Sequence, residues 1–320
     1  GSFDVTQKIW TATFTANDDF DGTGSVTLAN NSYTDAEFNL GSGDSDSVVI
    51  DTANPSANVQ IAESSLSDVV NTSTVTITFS AIPTDFVQAD DLAVSGGTLS
   101  SGSFDVTQKI WTATFTANDD FDGTGSVTLA NNSYTDAALN TGSGDSDSVV
   151  IDTANPSANV EIAEASLSDT VNTSTVTLTF TEIPSDFVPS NDLAVSGGTL
   201  SGGSFDVTQK IWTATFTAND DFDGTGSVTL ANNSYTDAEF NLGSGDSDSV
   251  VIDTANPSAN VQIAESSLSD VVNTSTVTIT FSAIPTDFVQ ADDLAVSGGT
   301  LSSGSFDVTQ KIWTATFTAN

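Results

Sequence analysis

Val75, Ile77 and Phe79 alternate with Thr74, Thr76 and Thr78. A period of two puts the two sets on opposite faces of an extended chain, so this run predicts a half-buried β-strand. The same rhythm returns in Trp111, Ala113, Phe115 and Ala117, with Ile110, Thr112, Thr114 and Thr116 on the other face. The Trp/Phe face is assigned to the core, because aromatics alternating along a strand face inward far more often than they form a ligand platform. Shorter alternations surround Val59 and Ile61, Leu92 and Val94, Phe104 and Val106, Val127 and Leu129, and Val149 and Ile151. Gly96-Gly97, Gln108-Lys109 and the stretch Asn118 to Gly123 supply turns between them. No segment shows the 3.6-residue period of a helix.

The pattern then repeats. GSFDVTQKIWTATFTAN begins at Gly1, Gly102, Gly203 and Gly304, a period of 101 residues. Residues 1–118 and 203–320 are identical, so two slightly different modules alternate. A module of this size holds one core. About seven short strands with turns between them read as an antiparallel β-sandwich of immunoglobulin type, lacking the Cys–Trp–Cys hallmark of antibody domains. The expected fold is therefore all-β: tandem immunoglobulin-like sandwich modules arranged as an extended rod. Boundaries are placed at the prolines of the IDTANPSANV stretches. Residues 54–154 and 155–255 are whole modules, 1–53 the C-terminal part of one, and 256–320 the N-terminal part of another. The chain reads as a window on a longer array that continues end to end, its partners being neighbouring modules of the same chain.

Charge narrows the function. Four basic residues, all Lys, face 43 acidic ones, for a net charge of −39. Nucleic acid and anionic membrane surfaces would repel such a chain, and uncompensated self-repulsion would destabilise its folded state. A bound divalent cation is the most economical remedy. Cys, His and Met are absent, so there is no disulfide framework and no catalytic imidazole or thiol. No secretory signal or run long enough to span a membrane is visible. Near-identical repeats and the absence of a nucleophile with a neighbouring base argue against an enzyme. Seven of the acids are Glu and 36 are Asp, a bias toward loop chemistry over general surface charging.

The strongest local signal is Asn118-Asp119-Asp120-Phe121-Asp122-Gly123. Asn118, Asp120 and Asp122 occupy alternate positions before a Gly, matching the first half of a calcium-binding loop. Calcium takes six to eight oxygens, and glycine permits the turn that converges them. The second half fails, since Leu129 stands where the twelfth-position acid belongs. The loop recurs as Asn219, Asp220, Asp221 and Asp223. It reads either as a partial calcium site or as a polar turn, since Asp, Asn and Gly favour turns in any case. If strands alternate in direction, this loop shares a pole with Asp152 at the end of the last strand, and its successor with Asp253. The next module would then offer Asp186, Asp192, Asp237, Asp246 and Asp248 across the linker. The expectation is that these acids from two modules share Ca2+ around Asn155-Pro156.

The segments Asp91–Ser100 (DLAVSGGTLS), Trp111–Leu129, Tyr134–Asn140 (YTDAALN) and Val149–Pro156 (VVIDTANP) together resemble the bacterial Ig-like repeats of giant surface adhesins, the biofilm-associated and RTX-type family. The resemblance covers every module. Two departures are SSLSDVVN at residues 64–71, where relatives often have a Gly-containing loop, and Asn54 and Asn155 before the linker prolines. The resemblance implies an extracellular, cell-surface extender that holds an adhesive domain away from the cell, with calcium stiffening the domain junctions. Two alternatives stand beside it: a repetitive surface- or glycan-binding array, and a subunit of an extracellular filament.

Overall fold

The computed structural model describes residues 1–320. Between Ala57 and Asp152 the chain forms two packed sheets. Sheet I runs in the order Ser103–Phe104, Ile110–Ala117, Thr72–Phe79, Ala57–Ile61, with Gly97–Leu99 also pairing Ile110–Ala117. Sheet II runs Ser65–Leu66, Asp145–Asp152, Asp122–Leu129, Leu92–Ser95. The next repeat builds the same two sheets from Ala158–Ile162 through Asp246–Asp253.

The period-two reading of the two long strands holds residue by residue. Trp111 pairs Ile77 and Ala113 pairs Val75, so their side chains enter one interior, while Thr112 pairs Thr76 on the outer face. Val75, Ile77, Phe115, Val127 and Ile151 have no solvent exposure. Phe79 lies between the rings of Phe86 and Tyr134, both edge-on, at centroid separations of 5.5 and 5.0 Å.

Two features depart from the sequence expectation. After Ala57–Ile61 the chain crosses from sheet I to sheet II, where Ser65–Leu66 runs parallel to Asp145–Asp152. Apart from a lone parallel bridge between Ser56 and Ser143 the other pairings of the sandwich are antiparallel, and two residues are too few to leave a periodic signal. The stretch read as a plain loop also contains a single helical turn, Gln88–Asp91, held by the Asp91 carboxylate accepting from the Val87 N–H at 2.6 Å.

Gly96 sets the closest approach of the turn to sheet II. Its φ is +69°, and a Cβ there would lie 2.7 Å from the Gly125 Cα, so Gly96 is required by backbone proximity, whereas a Cβ at Gly125 would meet the core side chains of Ile151 and Phe115 at 2.6 and 2.9 Å.

Neither flanking segment carries a complete sandwich. Residues 256–320 form sheet I alone, and residues 1–53 form two separate hairpins. Burial follows from that division. Val160 and Ile162 are 4% and 6% exposed, but their counterparts Val261 and Ile263 are 60% and 52% exposed where sheet II is absent. A core here is made only when both sheets meet.

Phe115→Ala therefore removes a ring from the centre of one core only. The expected cost is about 3–5 kcal/mol. Calorimetry of the chain should show the module around Phe115 melting at least about 10 °C below the module around Phe216. A single unshifted transition would contradict the packing.

Candidate metal centre at the module joint

The last strand of one module ends at Asp152, and the loop after Tyr235 in the next module receives it. Within that loop the Asp237 carboxylate accepts the N–H groups of Glu239 and Asn241 at 2.9 and 3.0 Å and the Asn241 amide at 2.9 Å. These bonds hold Phe240 at φ +67°, a left-handed conformation that costs a non-glycine residue about 1–2 kcal/mol. They leave Asp237 and Asn241 buried, at 1% and 0% exposure.

Asn241 then reaches across to the preceding module. Its amide donates to the Asp152 carbonyl at 3.0 Å and to the Asp152 carboxylate at 3.3 Å, while its Oδ1 accepts the Asp68 N–H at 3.0 Å. With its amide turned to donate, Asn155 of the linker reaches the Leu242 carbonyl at 3.0 Å and the Asp68 carboxylate at 3.2 Å. Tyr235 closes the same corner. Its hydroxyl donates to the carbonyls of Ser244 (3.0 Å) and the linker residue Pro156 (3.4 Å). Burial, with a smaller contribution from Glu182, pushes that hydroxyl up to about 12, so it stays a donor.

Three carboxylates converge beside this latch. Asp152, Asp237 and Glu239 each place an oxygen within 4.8 Å of the others. Two bare charges at that spacing repel by roughly 3 kcal/mol at an effective dielectric near 20, before screening by solvent and salt. Burial first, and then the charges of Asp237 and Asp122, hold the Asp152 carboxyl above its ordinary value. Glu182 is raised by burial and then by Asp152 and Asp237, with Lys210 opposing. Glu239 and Asp68 are raised by burial and by the same acidic surroundings, which for Asp68 include Asp119 and Asp120. A set of hard, anionic oxygen donors suits calcium.

The sequence-derived acids divide into two groups. Asp152 and Asp237 meet as the strand-direction argument expected. Asp122 pairs directly with Asp152 at the mouth of sheet II, and Asp223 with Asp253 one repeat on. The NDDFDG turn, by contrast, does not gather its own carboxylates. Asp120 and Asp221 sit at φ +50°, and the turn is closed by Thr153, whose hydroxyl donates to the Asn118 carbonyl (2.7 Å) and accepts the Phe121 N–H (3.0 Å). Asn219 is held in the same way by Thr254, and Asp119 and Asp220 lie in the corresponding turns.

Four further acids lie outside the joint cluster. Asp246 and Asp248 accept the N–H groups of Val160 and Ile162 at 2.9 and 2.7 Å, stitching sheet II to the edge of sheet I. Asp192 accepts the Val188 N–H and Asp186 the Thr236 N–H. Asp68, Glu182, Glu239 and Asn241 were not anticipated. The signal that could have exposed the two glutamates is the difference between modules, since Ala81 and Ala138 occupy their positions one repeat earlier.

A family model described as "Bacterial Ig-like domain" matches residues 2–50, 51–151, 152–252 and 253–320. The chain belongs to this family. No curated protein matches it. Among solved structures, this bacterial Ig-like chain is similar to invasin, described as a bacterial integrin-binding protein. The identity is 14% and the TM-score 0.30, over 83% of this chain and 55% of that one. It thus spans about half the length of that structure. It is also similar to the adhesin InvE of Yersinia pseudotuberculosis (14% identity, TM-score 0.27, 80% and 73% covered) and to a four-domain ICAM-5 ectodomain fragment (13%, 0.32, 83% and 68%). Identities and scores this low say nothing about ligands. No helix is long and apolar enough to cross a membrane.

A carboxyl raised in the folded joint binds its proton more tightly folded than unfolded, so its contribution to stability falls as pH rises through the window above the ordinary carboxylate value. In chelator, acidification from neutral pH into that window should therefore raise the melting temperature. Glu182→Ala with Glu239→Ala should remove part of the gain. A melting temperature that falls steadily on mild acidification would contradict the cluster's electrostatics.

Proposed function

We propose that this chain is an extender segment of a bacterial cell-surface adhesin, a stalk of Ig-like modules whose joints calcium stiffens so that an adhesive domain is held away from the cell. The observation that supports it is the joint. Carboxylates from two modules converge there beside a buried amide latch, in a chain with few cationic side chains to neutralise them. Asp152, Asp237 and Glu239 would hold the ion, with Glu182, Asp122 and Asp68 around it. Calcium suits the site better than magnesium, which demands strict octahedral geometry and keeps its waters. When bound, it would turn the repulsion across the joint into attraction.

The extracellular, non-enzymatic reading follows from the same features. Repetition supplies length, and the modules offer no nucleophile–base pair. The alternative of a glycan-binding array loses its natural aromatic platform, because Trp111 and Trp212 are 3% and 4% exposed.

The test is small-angle scattering and thermal unfolding of the chain in calcium and in chelator. The expected result is a longer particle and a higher melting temperature in calcium. Asp152→Asn with Glu239→Gln, which keep the oxygen acceptors but remove the charge, should abolish both responses and leave the modules folded. Equal dimensions and equal melting temperatures in the two buffers would overturn the calcium part of the reading.

A further inference from the structure

Residues 256–320 repeat residues 54–118 letter for letter, and residues 18–53 repeat residues 220–255. The two stretches are complementary parts of a module that the chain shows twice in complete form. Residues 256–320 build sheet I and leave Val261 and Ile263 on an open face. That face carries an apolar groove of about 200 Å³ lined by Val261, Ile263, Val277, Ile279 and Phe317. Residues 18–53 hold the other layer. Asp21–Leu28 pairs Asp44–Asp51 over its full length, in the register that Asp122–Leu129 and Asp145–Asp152 keep in the whole module. A two-stranded hairpin with an uncovered apolar face is marginal in water. Val26, Leu28, Tyr33 and Val48 are 58%, 50%, 49% and 52% exposed, whereas their counterparts Val127, Leu129, Tyr134 and Val149 are buried.

Hydrogen bonding points to the same partner. In the whole module, Leu92–Ser95 and Ser65–Leu66 pair the two outer edges of this hairpin. The identical segments 294–297 and 267–268 are not strands. Across the sheets, Asp145 and Asp147 accept the N–H groups of Val59 and Ile61 at 2.9 and 2.8 Å. The equivalent groups are Asp44 and Asp46 on the hairpin, and Val261 and Ile263 on the open face. Unpaired strand edges beside an apolar face are a template for another chain. Residues 18–53 differ from 119–154 only at Glu37, Phe38 and Leu40, which correspond to exposed positions 138, 139 and 141, so the mismatch does not reach the core.

We propose that the open face of residues 256–320 is a docking site for the Asp21–Leu28 and Asp44–Asp51 hairpin of a second copy of this chain, which completes a sandwich between chains. Two whole modules separate the complementary segments within one chain, and their joints are latched by Asn140 and Asn241. Folding back would break a latch, so the occupant is a second copy. Donor and acceptor are different surfaces, so the contact is head to tail and repeats without closing. Residues 1–17 and 304–320 have the same sequence, and one of the two is displaced from the completed sheet I. Phe14, which lies over Gly24 as Phe115 lies over Gly125, gives way to Phe317. The inference is independent of calcium.

Analytical ultracentrifugation of the full chain in chelator tests it. Species larger than one chain are expected, and they should grow with concentration. Val26→Asp with Val48→Asp disables the hairpin, and Val261→Asp with Ile263→Asp disables the open face. All four side chains are at least half-exposed in the single chain. Each variant should therefore keep both whole modules folded, with an unshifted melting transition as the control. Each variant alone should be monomeric, and an equimolar mixture should form a one-to-one complex, because each supplies the surface the other lacks. Val49→Asp, on the outer face of the hairpin, should leave assembly unchanged. A wild-type chain that stays monomeric at all concentrations would overturn the proposal. So would variants that still assemble alone, or a mixture that stays monomeric.

Discussion

The organisation of this molecule turns on the crowding of carboxylates at a joint that two modules must share. Each module closes its own core without reference to its neighbour. The neighbour matters only where Asp152 leaves one sandwich and Asp237 receives it in the next. There a buried asparagine makes three hydrogen bonds across the boundary, one of them to the Asp152 carboxylate. Such bonds fix direction well but are individually worth about 1–2 kcal/mol, less than the bare repulsion of the charges beside them. The lysines relieve that imbalance little: only Lys210 acts on an acid of the joint, Glu182, and its effect is smaller than that of Asp152 or Asp237. Lys109, Lys210 and Lys311 each donate to a backbone carbonyl of their own module, at 2.7 Å.

The joint and the core make opposite demands on sequence. Val75 and Phe115 are fully buried, and both modules keep identical residues there. Fourteen positions differ between the two whole modules, the core exchange Ile77/Leu178 among them, and at 81/182 and 138/239 the difference is an acid in a loop beside the joint.

The strands were legible in sequence because a buried face writes itself as alternation, and Trp111, Ala113 and Phe115 do so plainly. Ser65–Leu66 and the single turn at Gln88–Asp91 are too short for any period to register. The site was legible in part. Asp152 could be placed because antiparallel strands return to the same pole, and Asp237 because its loop lies at the facing pole. Asp246 and Asp248 misled, since the run Asp-Ser-Asp-Ser resembles an acidic loop. Within a strand, alternate side chains share one side, and there they accept the N–H groups of Val160 and Ile162. The NDDFDG turn misled for a related reason. Its spacing imitates a metal loop, but the Thr153 hydroxyl and the left-handed Asp120 account for its shape. Asn241 gave no signal, because its role depends on a neighbour 89 residues away in sequence.

The most direct test of a cation at the joint is a long-wavelength anomalous difference map from crystals of the chain grown in calcium. The account predicts a peak ligated by Asp152, Asp237 and Glu239. A map with peaks only in the Asn118–Gly123 turns, or with none at the joint, would contradict it.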